Sequence, residues 1–495
     1  MPLQFLIDWN DDRDYNDSSE NVTEDVLNAS WRLGMSRAWQ TMCDESTATL
    51  TLLNQSHKYN PGGTIGTAGG LVLLQRRMKI RDVTSGGTTE LWNGWLDYYQ
   101  VDWKPEGSYS GQTSITFYGK GPMAYLQDSQ VSLQTYYNTK ANVIIRDVLA
   151  QAQLPSVAGS VWLLGVPGYS ELGQTTILAD ETTYSSLGTA DTTLTRYSQD
   201  ETTSAWDVIK EVVDAEVGQF YFGRDGRAYF SNRTNAAITQ TGILGTVAET
   251  GVYKPVAMKY TYGADLHNVM RIVGKQRQTD SEDQILWRLN GGFGVAANGT
   301  VELLANLRRE EGQYVSSTGV SYQNDEWSSG TATILLQPYG ADVRVILIGG
   351  TASGGTLVYL ELVGPATYTQ NEMAIEVRDQ NSVNRYGRRY MEYDLPALST
   401  YAELTSYGNY QITRFGVIPV KLIESVTFRA GDDGVSNAHL ITWGMKTGIA
   451  LDFPNYNDTE PNDTYQILGE EHNWQPGVHE VTYTLQSASS GEGGA

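Results

Sequence analysis

Residues 47–53 read TATLTLL. Ala48, Leu50 and Leu52 alternate with Thr47, Thr49 and Thr51, and a period of two marks a strand with one buried face and one wet face. Asn54 stops this run as a turn residue able to take positive φ. Further strand signals lie at LVLLQRRMKIRDV (71–83), ELWNGWLDYYQVDW (90–103) and TSITFYGKG (113–121). The last strand, EVTYTLQ (480–486), puts Val481, Tyr483 and Leu485 on one side. Such a chain is mainly β.

At 495 residues it is too long for one hydrophobic core, so about three or four units of roughly 100–150 residues are expected. The use of 51 Gly and 31 Tyr with only 14 Pro suits strands joined by glycine turns. A net charge of −23 and a pI near 4.6 give an acidic surface that repels phosphates, which argues against stable nucleic-acid binding. Hydrophobic residues at 40% and aromatics at 11% are enough to build packed cores. The single cysteine, Cys43, permits no internal disulfide, so assembly in a reducing compartment is expected. MPLQFLIDWNDDRDYND lacks the features of a signal peptide, and VRVILIGG is too short to span a bilayer. The expected setting is the cytoplasm.

Two segments break the β pattern. ANVIIRDVLAQAQLP (141–155) places Ile144, Ile145, Val148, Leu149 and Ala152 on one helical stripe, with Pro155 beyond its end. SAWDVIKEVVDAEVG (204–218) begins on Ser204 with Asp207 as a capping box, presents Trp206, Ile209 and Val213 as a buried face, and offers Gly218 as its stop. QFYFGRDGRAYFSNR follows as a hairpin about Asp225-Gly226. Residues 165–203, rich in Gly, Ser and Thr, read as a long surface loop. The β pattern resumes at KPVAMKYTYG and ADLHNVMRIVG, and 331–364 reads as a strand series able to stand as an inserted sandwich. STYAELTSYGNYQITRFG (399–416) is one more helical candidate, PVKLIESVTFRAG a further strand, and the end, SASSGEGGA, has the composition of disorder.

The resulting expectation is a multi-domain chain. An N-terminal antiparallel barrel spans 1–130, an α+β module with two helices and a hairpin 131–250, a second barrel 251–284 with 385–495, and an inserted β-sandwich 285–384.

Catalytic chemistry is not marked. His57, His267, His439, His472 and His479 show no metal-ligand spacing and read as surface or turn residues. In DWNDDRDYNDSSENVTE (8–24), Asp12, Asp14 and Asn16 mimic the start of a calcium loop, but Asp17 stands where glycine is needed and Thr23 where glutamate is needed. That segment and DFPNYNDTEPND (452–463) read as solvated acidic connections. No phosphate-binding or nucleophile-elbow motif is present, and no carboxylate pair is singled out. No cofactor or metal is expected, and no enzyme.

The densest cluster of cations is RDQNSVNRYGRRYMEYDLP (378–396), with four arginines and three tyrosines. As a strand it puts Tyr386, Arg388, Tyr390, Glu392 and Asp394 on one face, balances Arg388 against Glu392, makes Gly387 a bulge and ends at Pro396. Two readings stand: a joint with arginines available for an interface, or a phosphate site with Arg385, Arg388 and Arg389 as donors.

Six stretches in order resemble the tail hub or minor tail proteins of long-tailed bacteriophages. They are NVTEDVLNASWRLGMSRAWQTMCDESTATLTLLNQSHKYNP, which includes Asn54; LWNGWLDYYQVDW; the helix and hairpin at 204–233; ADLHNVMRIVG, with Asn268 at a strand-opening position; SVNRYGRRYMEYDLP, with Tyr386, Gly387, Arg388 and Arg389; and QILGEEHNWQPGVHEVTYTLQ. The resemblance implies tube-like β-barrels in a homotrimer, forming a pseudo-sixfold ring at the tail tip. Its implied partners are tail tube and distal tail proteins, the tape measure protein, and a tail fibre or tip protein, with DNA in transient passage. The location it implies is the virion, with assembly in the host cytoplasm. The acidic composition adds the expectation that carboxylates face the bore and keep DNA sliding. Two other readings remain open: a sixfold distal tail protein forming a homohexamer, and a β-rich carbohydrate-binding protein or hydrolase.

Overall fold

A computed structural model of the protein describes residues 3–10, 15–55, 58–60, 74–84, 87–102, 114–131, 133, 135–152, 187–199, 203–233, 243–248, 253, 255–261, 266–309, 312–317, 319–339, 341–416, 422–432, 435–452 and 463–487. Asp12 and Asp14, Pro155, most of the expected loop at 165–203 and nearly all of the acidic connection at 452–463 lie outside them. So does the tail from residue 488.

The mainly β character is realised in a twelve-stranded sheet. Its first six strands run in the order Leu3–Ile7, Arg77–Thr84, Gly87–Asp102, Ser114–Lys120, Thr47–Leu53 and Val26–Gly34. The sheet then continues into distant sequence, because Ala29–Gly34 pairs antiparallel with Gly469–Trp474. Beyond Asp463–Gln475 come Val478–Ser487, Leu422–Arg429 and Ala257–Thr261. The alternation in TATLTLL is observed as read, with Ala48, Leu50 and Leu52 buried. Two aromatic-rich cores lie under the two halves, one around Phe5, Trp31, Trp92 and Phe117, the other around Phe428, Trp443 and Tyr483.

The helices form Ala141–Gln151 and Ala205–Glu216, as the stripes predict. Two details differ. Trp206 is only half-buried, and the inward face is Val208, Ile209, Val212 and Val213. The left-handed stop is Val217, φ 56, not Gly218. A side chain on Gly218 would press on the Ser231 carbonyl and the Phe230 ring, so close approach explains that glycine. The hairpin Gln219–Phe222 with Ala228–Ser231 forms about Asp225-Gly226, where Gly226 takes φ +75.

The third body grows from one long hairpin, Val269–Val295 against Gly355–Arg378. With Ser321–Gly330 and Tyr390–Asp394 it makes a four-stranded sheet, which faces a three-stranded sheet of Thr300–Asn306, Asp342–Gly349 and Ala332–Tyr339 across an aliphatic core. The expected break between residues 284 and 285 falls inside the strand Val269–Val295. This strand gives Met270 and Ile272 to the core of the helical module and Leu286 and Val295 to the sandwich core. Residues 269–284, Tyr390–Asp394 and the helix Tyr401–Phe415 therefore pack with the hairpin base, instead of joining the second half of the large sheet. A strand shared by two cores passes the handover without a turn, since the TDSED run at 279–283 only shifts the register against Gly355–Arg378, so local pattern does not mark a boundary. Among the described residues, no helix is long and apolar enough to cross a bilayer.

Candidate functional site

Of the residues singled out from sequence, Gly387 and Arg389 meet at Asn268, which is fully buried. Its Nδ2 donates to the Gly387 carbonyl at 2.8 Å and to Ser382 Oγ at 3.2 Å, while its Oδ1 accepts from the Arg389 amide at 2.7 Å. Its own backbone carbonyl accepts from Asp379 N at 3.0 Å. The residue just before the long hairpin thus ties its entry to the chain that returns from it.

The returning segment is not the continuous strand expected over 386–395. Asp379 caps a short helix, Gln380–Tyr386, by accepting from the amides of Asn381 and Ser382. Gly387 ends that helix at φ +75, and the strand begins only at Tyr390. Gly387 is therefore a helix terminator and not a bulge. Glu392 lies opposite Arg271 in the parallel pair, and Arg388 instead reaches Glu376 at 2.8 Å. The Arg385 guanidinium sits over the Tyr386 ring at 5.1 Å. With Arg388 turned to Glu376 and Arg385 to its own neighbour Tyr386, the geometry favours the joint over the phosphate reading.

Asn54 is a second buried latch. It is absent from the positive-φ positions and stops its strand through its side chain, which accepts from Tyr59 N at 2.8 Å and donates to Asn60 Oδ1 at 2.7 Å.

The large sheet turns one face to these cores and leaves the other open. Register places two rows across the seam on the open face. One runs Lys120, Thr47, Arg32, Glu471, Thr482 and Thr427; the other runs Tyr118, Thr49, Ser30, Asn473, Glu480 and Arg429. Arg429 meets Glu480 at 2.9 Å, Lys120 meets Asp97 at 3.2 Å, and the Thr427 and Thr482 hydroxyls lie 2.9 Å apart. The face is hydroxylated, and Arg429 and Lys120 on it are ion-paired.

Behind the seam lies a polar chain that sequence reading missed. From the Asp-Gly hairpin, Arg224 grips Glu470 through Nε at 2.6 Å and through Nη2, and also donates to the carbonyls of Ile441 and Trp443. Glu470 contacts His472, His472 Nδ1 lies 3.1 Å from His479 Nε2, and His479 Nδ1 lies 3.1 Å from Asn437 Oδ1. Trp31, opposite His472 across the seam, stacks on it at 4.5 Å. Both histidines are fully buried, which corrects their expected place at the surface. Burial pushes both imidazoles down, His479 to about 3. Burial alone would raise the Glu470 carboxyl, but the Arg224 charge outweighs it and holds it at about 2. The signal available in sequence was the alternation of Glu470, His472 and Trp474, three non-aliphatic residues at core-facing spacing.

Among the described residues, no group of three or more His, Cys, Asp or Glu side chains is placed to hold a metal ion. No protein-family model matches the chain, and no curated protein does. Solved structures do. A tail protein from Neisseria meningitidis aligns over 98% of this chain and 96% of its own, at 6% identity and a TM-score of 0.48. The 43 kDa tail protein of prophage MuSo2 from Shewanella oneidensis aligns over 99% of both chains, at 8% identity and a TM-score of 0.47. A prophage tail protein from Listeria monocytogenes aligns over 98% and 94%, at 10% identity and a TM-score of 0.41. These structural neighbours are tail proteins, two of them from prophages, matched along nearly their whole length.

Proposed function

We propose that this protein is a structural component at the distal end of a long-tailed phage tail, where copies of it form a ring between the tail tube and the tip or fibre. The observation that carries this reading is the seam between Ala29–Gly34 and Gly469–Trp474. It makes one sheet from two sequence-distant halves, so each copy supplies two wall segments, as a trimer matching a sixfold tube requires. The six stretches of family resemblance support it from sequence. A bore lined by the open face would meet DNA with hydroxyls and charges of both signs. Lys120, Arg32 and Arg429 stand there with Glu471 and Glu480, in place of the carboxylate wall expected from composition.

Negative-stain microscopy of the purified protein with a solution mass measurement tests this. The expected result is a ring at three times 54.6 kDa; six copies favour the distal tail protein, and a stable monomer without rings overturns both. Charge reversal at Arg388 and Arg389, beside the Asn268 joint, is expected to impair ring formation, and normal rings would remove these arginines from the interface.

A further inference from the structure

The sandwich carries a side-chain cluster that lies outside the joint and the seam described above. Glu361 lies in the strand Gly355–Arg378, opposite Arg288 on one side and Gln323 on the other. Its neighbours Leu360 and Leu362 belong to the core, so Glu361 sits on the outer face of the four-stranded sheet. It is nevertheless only 5% exposed, because four side chains close over it. The Tyr359 hydroxyl at 2.7 Å and Arg288 Nε at 3.1 Å donate to Oε1, while Gln323 Nε2 at 3.1 Å and Asn324 Nδ2 at 2.7 Å donate to Oε2. These bonds, Tyr359's foremost, hold the carboxyl down at about 2.

Asn324 shows how the cluster is built. It takes a left-handed φ of 54, and the register shifts between Gln323 and Glu326. A bulge thus turns the Asn324 amide onto Glu361, and bulges that re-aim a side chain recur beside functional sites. Protecting an edge strand would also use a bulge. Edge protection, however, needs no convergence of two amides, a phenol and a guanidinium on one carboxylate.

The chemistry of the surface selects its ligand. Gln323 and Asn324, both exposed residues, each give one N–H to Glu361, which fixes the amide plane and leaves its second N–H and its oxygen for a ligand. The half-exposed Tyr359 ring offers a face for stacking, with Asn290 and Glu326 opposite it on either side. Arg288 offsets the charge of Glu361, so the pair at the centre carries no net charge. Fixed planar acceptors and donors around an aromatic ring match the hydroxyls and apolar C–H face of a sugar.

We propose that this face is a binding site for neutral oligosaccharides. It does not depend on the assembly role. The test is titration of the full chain with cellotetraose, maltotetraose, mannotetraose and chitotetraose, followed by calorimetry or NMR. Asn324→Gly keeps the left-handed backbone and removes the amide, and Tyr359→Phe keeps the ring and removes the hydroxyl. The expected result is binding of at least one sugar by the native protein, weakened about tenfold by Asn324→Gly, as for one lost hydrogen bond. Thr49→Ala on the large sheet serves as control and should bind normally. No binding by any of the four sugars, or binding unchanged in both cluster variants, overturns the proposal. Rings that form without sugar binding sink this inference alone, and sugar binding by a monomer sinks the assembly reading alone.

Discussion

Asn268 is fully buried at the foot of the long hairpin, and its side chain carries the bonds of the joint. Asn268→Ala would remove the part-buried bonds to the Gly387 carbonyl and the Arg389 amide, a loss on the order of 1–3 kcal/mol in chemical denaturation. An unchanged midpoint would mean that the joint is held elsewhere. The histidine pair makes a different kind of claim, one about pH. His472 and His479 titrate below their ordinary 6.5 in the folded protein. Between that value and the folded one, the unfolded chain binds more protons, so stability falls as pH drops below about 6.5. Glu470, held at about 2 instead of 4.5, adds loss of the same sign below 4.5. Each unit of pKa depression corresponds to ~1.4 kcal/mol. Melting temperature is therefore expected to decline steadily from pH 7 to pH 5, and His472→Gln with His479→Gln should flatten that decline. A slope that survives the double substitution would place the acid sensitivity outside this pair.

Elements with local chemistry were readable from sequence. Tyr401–Phe415 carries a full capping box between Thr400 and Glu403, and the Asp225-Gly226 turn fixes its hairpin, because each signal lies within a few residues of the structure it controls. Elements set by distant contacts were not. Val217, Trp39 and Lys446 adopt left-handed φ without being Gly or Asn, so tertiary packing overrides their propensity. The segment 378–396 divided into helix and strand because Asn268, more than a hundred residues earlier, binds the turn at Gly387. The docking of the hairpin onto the seam is equally nonlocal. Arg224→Met would strand the buried Glu470 carboxylate and is expected to cost about 3–5 kcal/mol. Arg224→Met with Glu470→Met removes the unpaired charge and should lose less than the single change. Equal losses would show that Arg224 acts mainly through the Ile441 and Trp443 carbonyls.

At the scale of the whole molecule, the long hairpin links two bodies with separate cores, and this predicts separability. Thr279 and Thr367 pair where the strand passes from the helical module to the sandwich, and their hydroxyls lie 2.9 Å apart. The sandwich core beyond them, from Leu286 to Ala366, shares no buried residue with the core containing Met270, Ile272 and Leu404. Contacts back to the module are polar: Thr135 with Ser316 at 2.7 Å, and Tyr137 with Thr279 and Thr367. Joining Thr279 to Thr367 through an Asn-Gly turn, which suits the twist of a two-stranded hairpin, therefore removes the sandwich at a point where little apolar surface is opened. The shortened protein is expected to fold cooperatively and to keep the oligomeric mass ratio of the full chain, while losing all oligosaccharide binding. Collapse of the ring in this variant would assign the sandwich to the subunit interface, and retained sugar binding would remove the site from the Glu361 face.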